Sequence, residues 1–286
     1  MAVISLGRAR AWGKRSGDRM ERMVRTAAWA VFALLAYFIV AGILDYWLAL
    51  PAPGNIGFVP TFTLFSLLHA WAMLGGRRAA LFFGLTVVIS YIVEELGVRT
   101  GVIFGPYHYS DQLGFKLSHV PVLIPLGWFM MIYPSWVVAQ ALLRGVDVRR
   151  PAGMAALALF SALAMTGWDM VMDPPMVRAG VWVWHGGGPY FGVPLRNYVG
   201  WVLNTFVIYL VFDAVDRAIT RREGAAYRFG GAFTLLPILI YTLFAVGYVA
   251  PGRLPPLTVV AVFTMLLPGL LALARVLLPA ADEKAR

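Results

Sequence analysis

Residues 232–278 read AFTLLPILIYTLFAVGYVA, then the break PGRLP, then PLTVVAVFTMLLPGLLALARVLL. Each apolar block is about 20 residues long, the length of helix that spans a bilayer core of about 30 Å. In lipid the backbone polar groups must be satisfied within the segment, so such blocks form helices rather than open strands. The proline and glycine between them predict a short loop joining two membrane spans.

The same pattern recurs along the chain of 286 residues, of which 60% are hydrophobic, with a mean hydropathy of +0.74. A soluble globular domain is typically about 45–50% apolar. The sequence therefore predicts an all-α, polytopic transmembrane helix bundle of about eight spans, a multi-pass protein of the cell membrane. The predicted spans cover residues 28–50, 57–75, 79–97, 120–143, 152–173, 197–217, 232–250 and 256–278.

The basic residues predict the orientation of the bundle. The chain has 24 Lys and Arg residues, and most of them fall in the two terminal segments and in alternate loops. The exceptions are Arg99, Lys116, Arg178, Arg196 and Arg253. Because cytoplasmic loops carry the excess of Lys and Arg, both termini are expected to be cytoplasmic.

This topology divides the chain into three parts. Residues 1–27 form a basic cytoplasmic arm, expected to be disordered and to contact anionic lipid. Residues 28–278 form the transmembrane domain, and residues 279–286 form a cytoplasmic tail. The net charge of +10 lies in loops rather than on a basic helix face, which argues against nucleic acid as a partner.

The chain contains no cysteine. Disulfides, thiolate nucleophiles and cysteine metal sites are therefore excluded. The four histidines are scattered along the sequence, which disfavours a histidine-rich metal site. We expect neither a metal nor a cofactor.

Two predicted outer loops stand out by length and composition. They cover roughly residues 98–119 and 174–196 and are rich in glycine, aromatic and polar residues. Loops held by a rigid scaffold commonly carry binding and catalytic residues. We therefore expect function to concentrate on the outer face of the bundle.

A faint internal repeat links these loops. Gly-Pro-Tyr occurs at 105–107 and again at 188–190, and Val-Pro occurs at 120–121 and 193–194, followed in both cases by Gly-Trp after five residues. A chance similarity in a chain rich in glycine and tryptophan is the alternative. If the repeat is real, it is a parallel repeat whose two loops meet on the outer face.

Carboxyl groups inside the predicted spans are the leading functional candidates, because burying a charge in a membrane is expensive. Asp169 and Asp173 are four residues apart and share one face of the fifth span. Glu94 continues a polar stripe on the third span, and Glu95 follows it. An ion pair with a nearby arginine such as Arg99 is the alternative role for a carboxylate at a helix end, and it applies most to Glu95 and Asp173.

Other polar residues have simpler explanations. Asp45 is a further acid near the outer end of the first span. His69 on the second span is better explained by an interhelical hydrogen bond than by catalysis. Asp213 and Asp216 lie beside Arg217 at the inner boundary, where we expect them to be solvated or paired.

Lipid cannot accommodate the polar stripes of several spans, so we expect them to face one another. The result is one pocket near the outer membrane boundary, lined by carboxyl groups and aromatic rings. An interfacial belt of Trp and Tyr is the alternative for any single ring. The residues predicted to shape the pocket, besides the acids, are Tyr107, His108, Trp128, Trp168, Trp184, Tyr190, Phe191, Asn197, Trp201 and Asn204.

Carboxyl groups ringed by aromatic side chains suit acid catalysis on an alkene. A carboxyl group in apolar surroundings favours its protonated form and can act as a general acid. Aromatic faces stabilise a nearby cation. The combination fits protonation of an alkene to a tertiary carbocation, which is then captured by water held by a second, ionised acid. No GxGxxG, Walker A or nucleophile-elbow pattern occurs at a strand-to-helix turn.

These residues lie in segments that resemble the membrane carotenoid hydratases of the CruF type. The resemblance covers roughly residues 30–275 and is most specific in 94–128 and 168–204. The first of these contains Glu-Glu-Leu-Gly-Val and Phe-Gly-Pro-Tyr-His-Tyr, and the second contains Trp-Val-Trp and Tyr-Phe-Gly-Val-Pro. The resemblance implies addition of water across the terminal 1,2 double bond of an acyclic carotenoid end, with lycopene-like, γ-carotene-like or archaeal-type carotenoids as substrates.

On this hypothesis Asp169 or Glu94 is the proton donor, and the other acid, or Asp173, orients the water. Glu95, His108 and Tyr107 are further catalytic candidates, and the remaining pocket residues bind substrate. The carotenoid is expected to enter sideways from the lipid, and other carotenoid enzymes are candidate partners.

Two other functions remain open on the sequence. A membrane prenyltransferase would use Asp169 and Asp173 to hold Mg²⁺ against an allylic diphosphate. A lipid-binding protein or proton-coupled transporter would use the acids without catalysis.

Overall fold

The computed structural model describes residues 2–48, 55–220, 227–250 and 255–278. Eight stretches within them are long and apolar enough to cross a membrane, which confirms the predicted polytopic helix bundle. The eighth stretch consists of two helices joined by a π-helical turn at Val262–Leu266. The helices are α1 (Ala2–Leu48), α2 (Asn55–Leu74), α3 (Gly76–Thr100), α4 (Leu123–Leu142), α5 (Pro151–Arg178), α6 (Leu195–Thr220), α7 (Leu236–Val249), α8 (Pro255–Ala261) and α9 (Leu267–Leu277).

The N-terminal segment differs from the expected disordered arm over residues 1–27. The structure continues α1 back to Ala2. No proline occurs between Ala2 and Leu48, so no residue in this stretch lacks the backbone N–H that a helix requires. The tail at 279–286 lies outside the described residues, and the cytoplasmic location of both termini stays a prediction.

Helix α4 forms the centre of the bundle. In the most apolar 18-residue segment of α4, 78% of the residues are buried, whereas 22% are buried in the corresponding segment of α1. It packs against α2, α3, α5, α7 and α9. Its large side chains, among them Trp128, Phe129 and Tyr133, are almost completely enclosed. The N-terminal half of α4 therefore lies where side chains from several surrounding helices converge.

A proline inside α4 is accommodated by a side chain of its neighbour. Pro134 has no N–H to donate to the carbonyl of Met130, four residues earlier. The Ser66 hydroxyl of α2 donates to that oxygen at 2.8 Å. In a membrane such replacement keeps a backbone carbonyl from being left unsatisfied.

The end of α5 lies beyond the predicted one. Pro174 and Pro175 predict an end at residue 173, whereas the helix runs on to Arg178. Pro174 cannot donate to the carbonyl of Met170, and the Tyr190 hydroxyl from the following loop donates there instead, at 2.9 Å. A tertiary contact that sequence punctuation does not reveal therefore supports the last turn of the helix.

The two long connections, residues 101–122 and 179–194, meet in a cap of short strands. β1 (Tyr107–Tyr109) pairs antiparallel with β4 (Trp182–Trp184), which directly joins the two loops. β2 (Lys116–Leu117) pairs with β3 (Val120–Pro121) inside the first loop. The cap covers the ends of α3 and α5, where Glu94 and Asp173 lie.

Candidate functional site: a carboxyl- and aromatic-lined cavity

Glu94, near the end of α3, is surrounded by hydrogen-bond donors. Its side chain is 3% exposed. The hydroxyls of Tyr107 and Tyr109 both donate to Oε2, that of Tyr109 at 2.8 Å. The indole N–H of Trp128 donates to Oε1 at 3.0 Å. These donors stabilise the ionised carboxyl group against the desolvation that burial imposes.

The two tyrosines are donors rather than titrating groups. Burial, together with the neighbouring carboxyl group of Glu94, raises the pKa of Tyr107 and the pKa of Tyr109 well above the usual range for tyrosine. Both hydroxyls therefore keep their protons at neutral pH, and Glu94 is the acceptor in each hydrogen bond.

A second acidic centre lies on α5. The side-chain amide of Asn197 donates to Oδ2 of Asp169 at 3.0 Å and to Oδ2 of Asp173 at 2.7 Å. The indole N–H of Trp182 donates to the other oxygen of Asp173 at 3.2 Å. Two carboxyl groups this close repel each other when both are ionised, so the pair is best accommodated with one proton.

Glu94 and Asp173 line the same cavity, which has a volume of about 440 Å³. The acid end of this cavity is walled by aromatic rings, none of them more than 8% exposed. These rings belong to Tyr107, Tyr109, Trp128, Trp168, Trp182, Trp184 and Trp201. Asp169 is not among the lining residues. It is connected to the cavity by its hydrogen bond with Asn197, which lines the cavity together with Asp173.

Tryptophan rings from three helices meet at the acid end. Trp128 of α4 and Trp201 of α6 stack with their centroids 4.2 Å apart and their planes at 17°. Trp168 of α5 packs edge-on against Trp201. Trp128 and Trp201 are the tryptophans of the two Gly-Trp pairs, so corresponding positions of the faint repeat contact each other. The rings form an apolar wall whose faces can stabilise a cation.

Three buried polar atoms near the acids have no hydrogen-bond partner among the described residues. They are the indole nitrogen of Trp168, Oδ1 of Asp169 and the hydroxyl oxygen of Tyr198. Buried polar atoms are normally satisfied by protein or by ordered water. These atoms identify positions where a water molecule or a polar group of a ligand can bind.

Strand alternation explains which cap residues enter the site. Tyr107 and Tyr109 of β1, and Trp182 and Trp184 of β4, are buried, whereas the residues between them are exposed. The loop sequences place Tyr109 and Trp182 at the level of the predicted pocket, but neither was among the residues assigned a catalytic or substrate-binding role. The motifs Tyr-x-Tyr and Trp-x-Trp indicate these two residues in the sequence, because each motif predicts a strand with both aromatic rings on one face.

His108 and Glu95 are the clearest corrections to the predicted site. His108 lies between the two buried tyrosines of β1, so it points outward, where its ring nitrogen lies 3.1 Å from that of His185. Glu95 follows Glu94 on α3 and is rotated about 100° from it. It forms an ion pair with Arg99 at 2.7 Å and contacts His119 at 2.9 Å, away from the cavity lining.

Three predicted substrate-binding residues also lie outside the lining. Tyr190 supports α5 through Met170, and Phe191 packs against Tyr190 and is 40% exposed. The amide of Asn204 donates to the carbonyl of Gly200 within its own helix. These side chains contact nearby backbone carbonyls or a neighbouring ring and do not line the cavity.

The remaining polar residues of the spans behave largely as expected. His69 forms interhelical hydrogen bonds of 2.8 Å with the Tyr133 hydroxyl and the Phe233 carbonyl, which confirms the structural interpretation. Asp213 is paired with Arg217 and Asp216 with Arg78, which confirms the expectation that these acids are solvated or paired. Asp45 is exposed and does not join the other acids. In the described part of the chain, no group of three or more His, Asp or Glu side chains is arranged to hold a metal ion.

Comparisons with known proteins find a family and a relative that are similar to this chain. A family model described as carotenoid biosynthesis protein matches residues 54–268. A protein of Haloarcula japonica named bisanhydrobacterioruberin hydratase is 33% identical over 181 residues, and the alignment spans 60% of this chain and 60% of that relative. No solved structure matches the chain. These findings confirm the resemblance seen in the sequence: the chain belongs to the carotenoid biosynthesis protein family.

Proposed function

We propose that this protein is a carotenoid 1,2-hydratase of the cell membrane, which adds water to the terminal double bond of an acyclic carotenoid end. The observation that carries the proposal is the cavity in which Glu94 and Asp173 face one space among aromatic rings. The family, and the hydratase name of the Haloarcula japonica relative, support the reaction class.

The surroundings of the acids support different roles for them. The pair of Asp169 and Asp173 holds one proton, and Asp173 is the member that lines the cavity. Asp173 therefore donates the proton, and Asp169 shares it through their common contact with Asn197. Glu94, held by three donors, is the ionised acid that binds and orients the water.

The reaction is balanced without a cofactor. The proton of Asp173 is transferred to C2 of the alkene, whose π electrons form the new C–H bond, and C1 becomes a tertiary carbocation. The aromatic rings at the acid end of the cavity stabilise this cation. Water held by Glu94 attacks C1, and the proton that it loses returns through the acids to Asp173, which leaves a tertiary alcohol.

The size of the cavity supports an end group rather than a whole carotenoid as its occupant. A volume of about 440 Å³ is within the range of pockets that hold small molecules, about 300–1,000 Å³. A linear carotenoid is much larger, about as long as the bilayer core of about 30 Å is thick. Most of its chain must lie outside the cavity, in lipid.

The two rival functions have less support. An Mg²⁺-dependent prenyltransferase needs the carboxylate oxygens of Asp169 and Asp173 as ligands, yet Asn197 already donates to one oxygen of each. In a transporter, acids are expected along a path through the membrane, whereas Glu94 and Asp173 lie at one end of their helices.

The test is expression in a host that accumulates an acyclic carotene, followed by mass analysis of its carotenoids. We expect the wild type to produce species heavier by one water. Asp173→Asn keeps the shape of the side chain and removes its acidic proton, so hydration should fall by about 100-fold or more. Asp111→Asn is the matched control, because Asp111 is an exposed residue of the cap, paired with Lys116.

The alternatives give different results. A wild type that produces no hydrated carotenoid overturns the proposed function, and an added prenyl unit supports the prenyltransferase. Full hydration by Asp173→Asn would leave the reaction in place and refute Asp173 as the donor.

A further inference from the structure

The cavity has a closed end and an open end. At the acid end the lining rings are buried, as described above. The other end extends between α1, α2 and α7, where the lining residues Phe38, Phe58, Phe244 and Tyr248 are only partly buried. These residues are apolar or aromatic and lie on helices long and apolar enough to face lipid. The cavity therefore extends from the two acids to partly buried apolar side chains of α1, α2 and α7.

Three glycines from three helices line this open half: Gly42 of α1, Gly127 of α4 and Gly247 of α7. Packing does not require glycine at these positions. Among the described residues, a Cβ atom placed on Gly42 meets no atom within 4 Å, and one on Gly127 or Gly247 lies no closer than 3.8 Å to its neighbours. A methyl group would thus fit at all three.

Other glycines of the bundle show the contrast. A Cβ atom on Gly167 would lie 2.5 Å from the carbonyl oxygen of Thr264, and one on Gly200 would lie 2.8 Å from the ring of Phe104. There glycine permits close approach of neighbouring elements. At the three cavity positions glycine instead leaves open space beside the cavity.

We propose that Gly42, Gly127 and Gly247 form a slot that holds the linear polyene chain of the substrate where it leaves the cavity for the lipid. This inference rests on the proposed function for the identity of its occupant. A polyene is thin and apolar, and the passage is bordered by glycines and by apolar rings such as Phe58 and Phe244. The slot also lies in the direction in which the oversized remainder of a carotenoid has to extend.

Gly42 is the position at which to test the slot. A Cβ on Gly42 meets no described atom within 4 Å, so the larger side chain of Gly42→Leu should extend into the passage. Gly84→Leu is the matched control: a Cβ on Gly84 of α3 also meets nothing within 4 Å, and Gly84 does not line the cavity. The two variants make the same chemical change in a helix and differ in their relation to the slot.

The experiment compares two substrates with purified protein in lipid nanodiscs. One is a long acyclic carotenoid, and the other is a short acyclic isoprenoid alkene with the same end group. Gly42→Leu should lower kcat/KM for the carotenoid by about tenfold or more, mainly through KM, because extra carbon atoms in an apolar site discriminate on that scale. Turnover of the short alkene should stay within about twofold of wild type, and Gly84→Leu should change neither.

Binding provides a readout that does not depend on hydration. Five tryptophans line the cavity, so a bound polyene should quench their fluorescence. We expect Gly42→Leu to weaken this quenching by the carotenoid and Gly84→Leu to leave it unchanged. If the wild type hydrates neither substrate, the proposed function fails, and the quenching experiment still decides whether the slot binds a polyene.

Three results would refute the slot. The first is that Gly42→Leu shows wild-type turnover of the carotenoid and wild-type fluorescence quenching. The second is that Gly42→Leu loses kcat/KM equally for the long and the short substrate, and the third is that Gly84→Leu loses as much kcat/KM for the carotenoid as Gly42→Leu. If Gly42→Leu does not accumulate in the membrane, Gly42→Ala is compared in its place. We then expect kcat/KM for the carotenoid to fall by about two- to tenfold.

Discussion

Replacing Glu94 should separate its structural role from its chemical one. In Glu94→Ala, the hydroxyls of Tyr107 and Tyr109 and the indole N–H of Trp128 lose their acceptor while they remain buried. An unsatisfied buried donor costs about 1–3 kcal/mol. Part of this cost is recovered when the tyrosine hydroxyls turn toward other acceptors. For the three donors together we therefore expect Glu94→Ala to lower the free energy of unfolding by roughly 3–6 kcal/mol.

Glu94→Gln should cost far less. The glutamine carbonyl can accept from Trp128, which only donates, while its amide donates to tyrosine hydroxyls that rotate to accept. Glu95→Ala is the control on the same helix turn, because it removes a partly exposed ion pair worth about 0–1 kcal/mol.

Thermal unfolding of the detergent-solubilised protein measures this difference. For a chain of this size, 3 kcal/mol corresponds to a melting temperature lower by roughly 6 °C or more. We expect that loss in Glu94→Ala, with Glu94→Gln and Glu95→Ala close to wild type. Equal melting temperatures for Glu94→Ala and Glu94→Gln would refute the claim that Glu94 is the acceptor organising these three donors.

Two further predictions concern stability away from the cavity. Ser66→Ala removes the donor to the Met130 carbonyl freed by the proline in α4, and should destabilise the protein by about 1–2 kcal/mol in the same melting experiment. Arg78→Ala should cost about 3 kcal/mol or more, because Asp216 is fully buried and loses two charged hydrogen bonds of 2.7 and 2.9 Å. The neighbouring, exposed Arg77 is its control, and an equal effect of Arg77→Ala would contradict the buried ion pair as the cause.

The membrane spans could be predicted because their signal is local. A block of about 20 apolar residues between charged loops has few alternatives in a bilayer. The end of α5 was not predictable in the same way, because it depends on a hydroxyl supplied by Tyr190, a residue that is distant in sequence from the carbonyl it satisfies.

The site was predictable to the extent that helical periodicity determines it. Asp169 and Asp173 share a face because they are four residues apart, and Asn197 indeed lies opposite both. Periodicity within α3 could not decide which of the adjacent Glu94 and Glu95 faces inward. That choice depends on the cap, whose β1 strand supplies Tyr107 and Tyr109 to Glu94 alone.

The dependence of the cap on Glu94 has a consequence for assigning catalysis. If Glu94 only anchored β1, glutamine would serve nearly as well, because it also offers an oxygen to Trp128 and polar contacts to the tyrosines. If it holds and deprotonates the attacking water, glutamine fails, since a neutral amide accepts no proton at neutral pH. A Glu94→Gln variant with wild-type melting temperature and lost hydration therefore assigns the charge of Glu94 to the reaction, whereas retained hydration assigns Glu94 to the architecture of the cap.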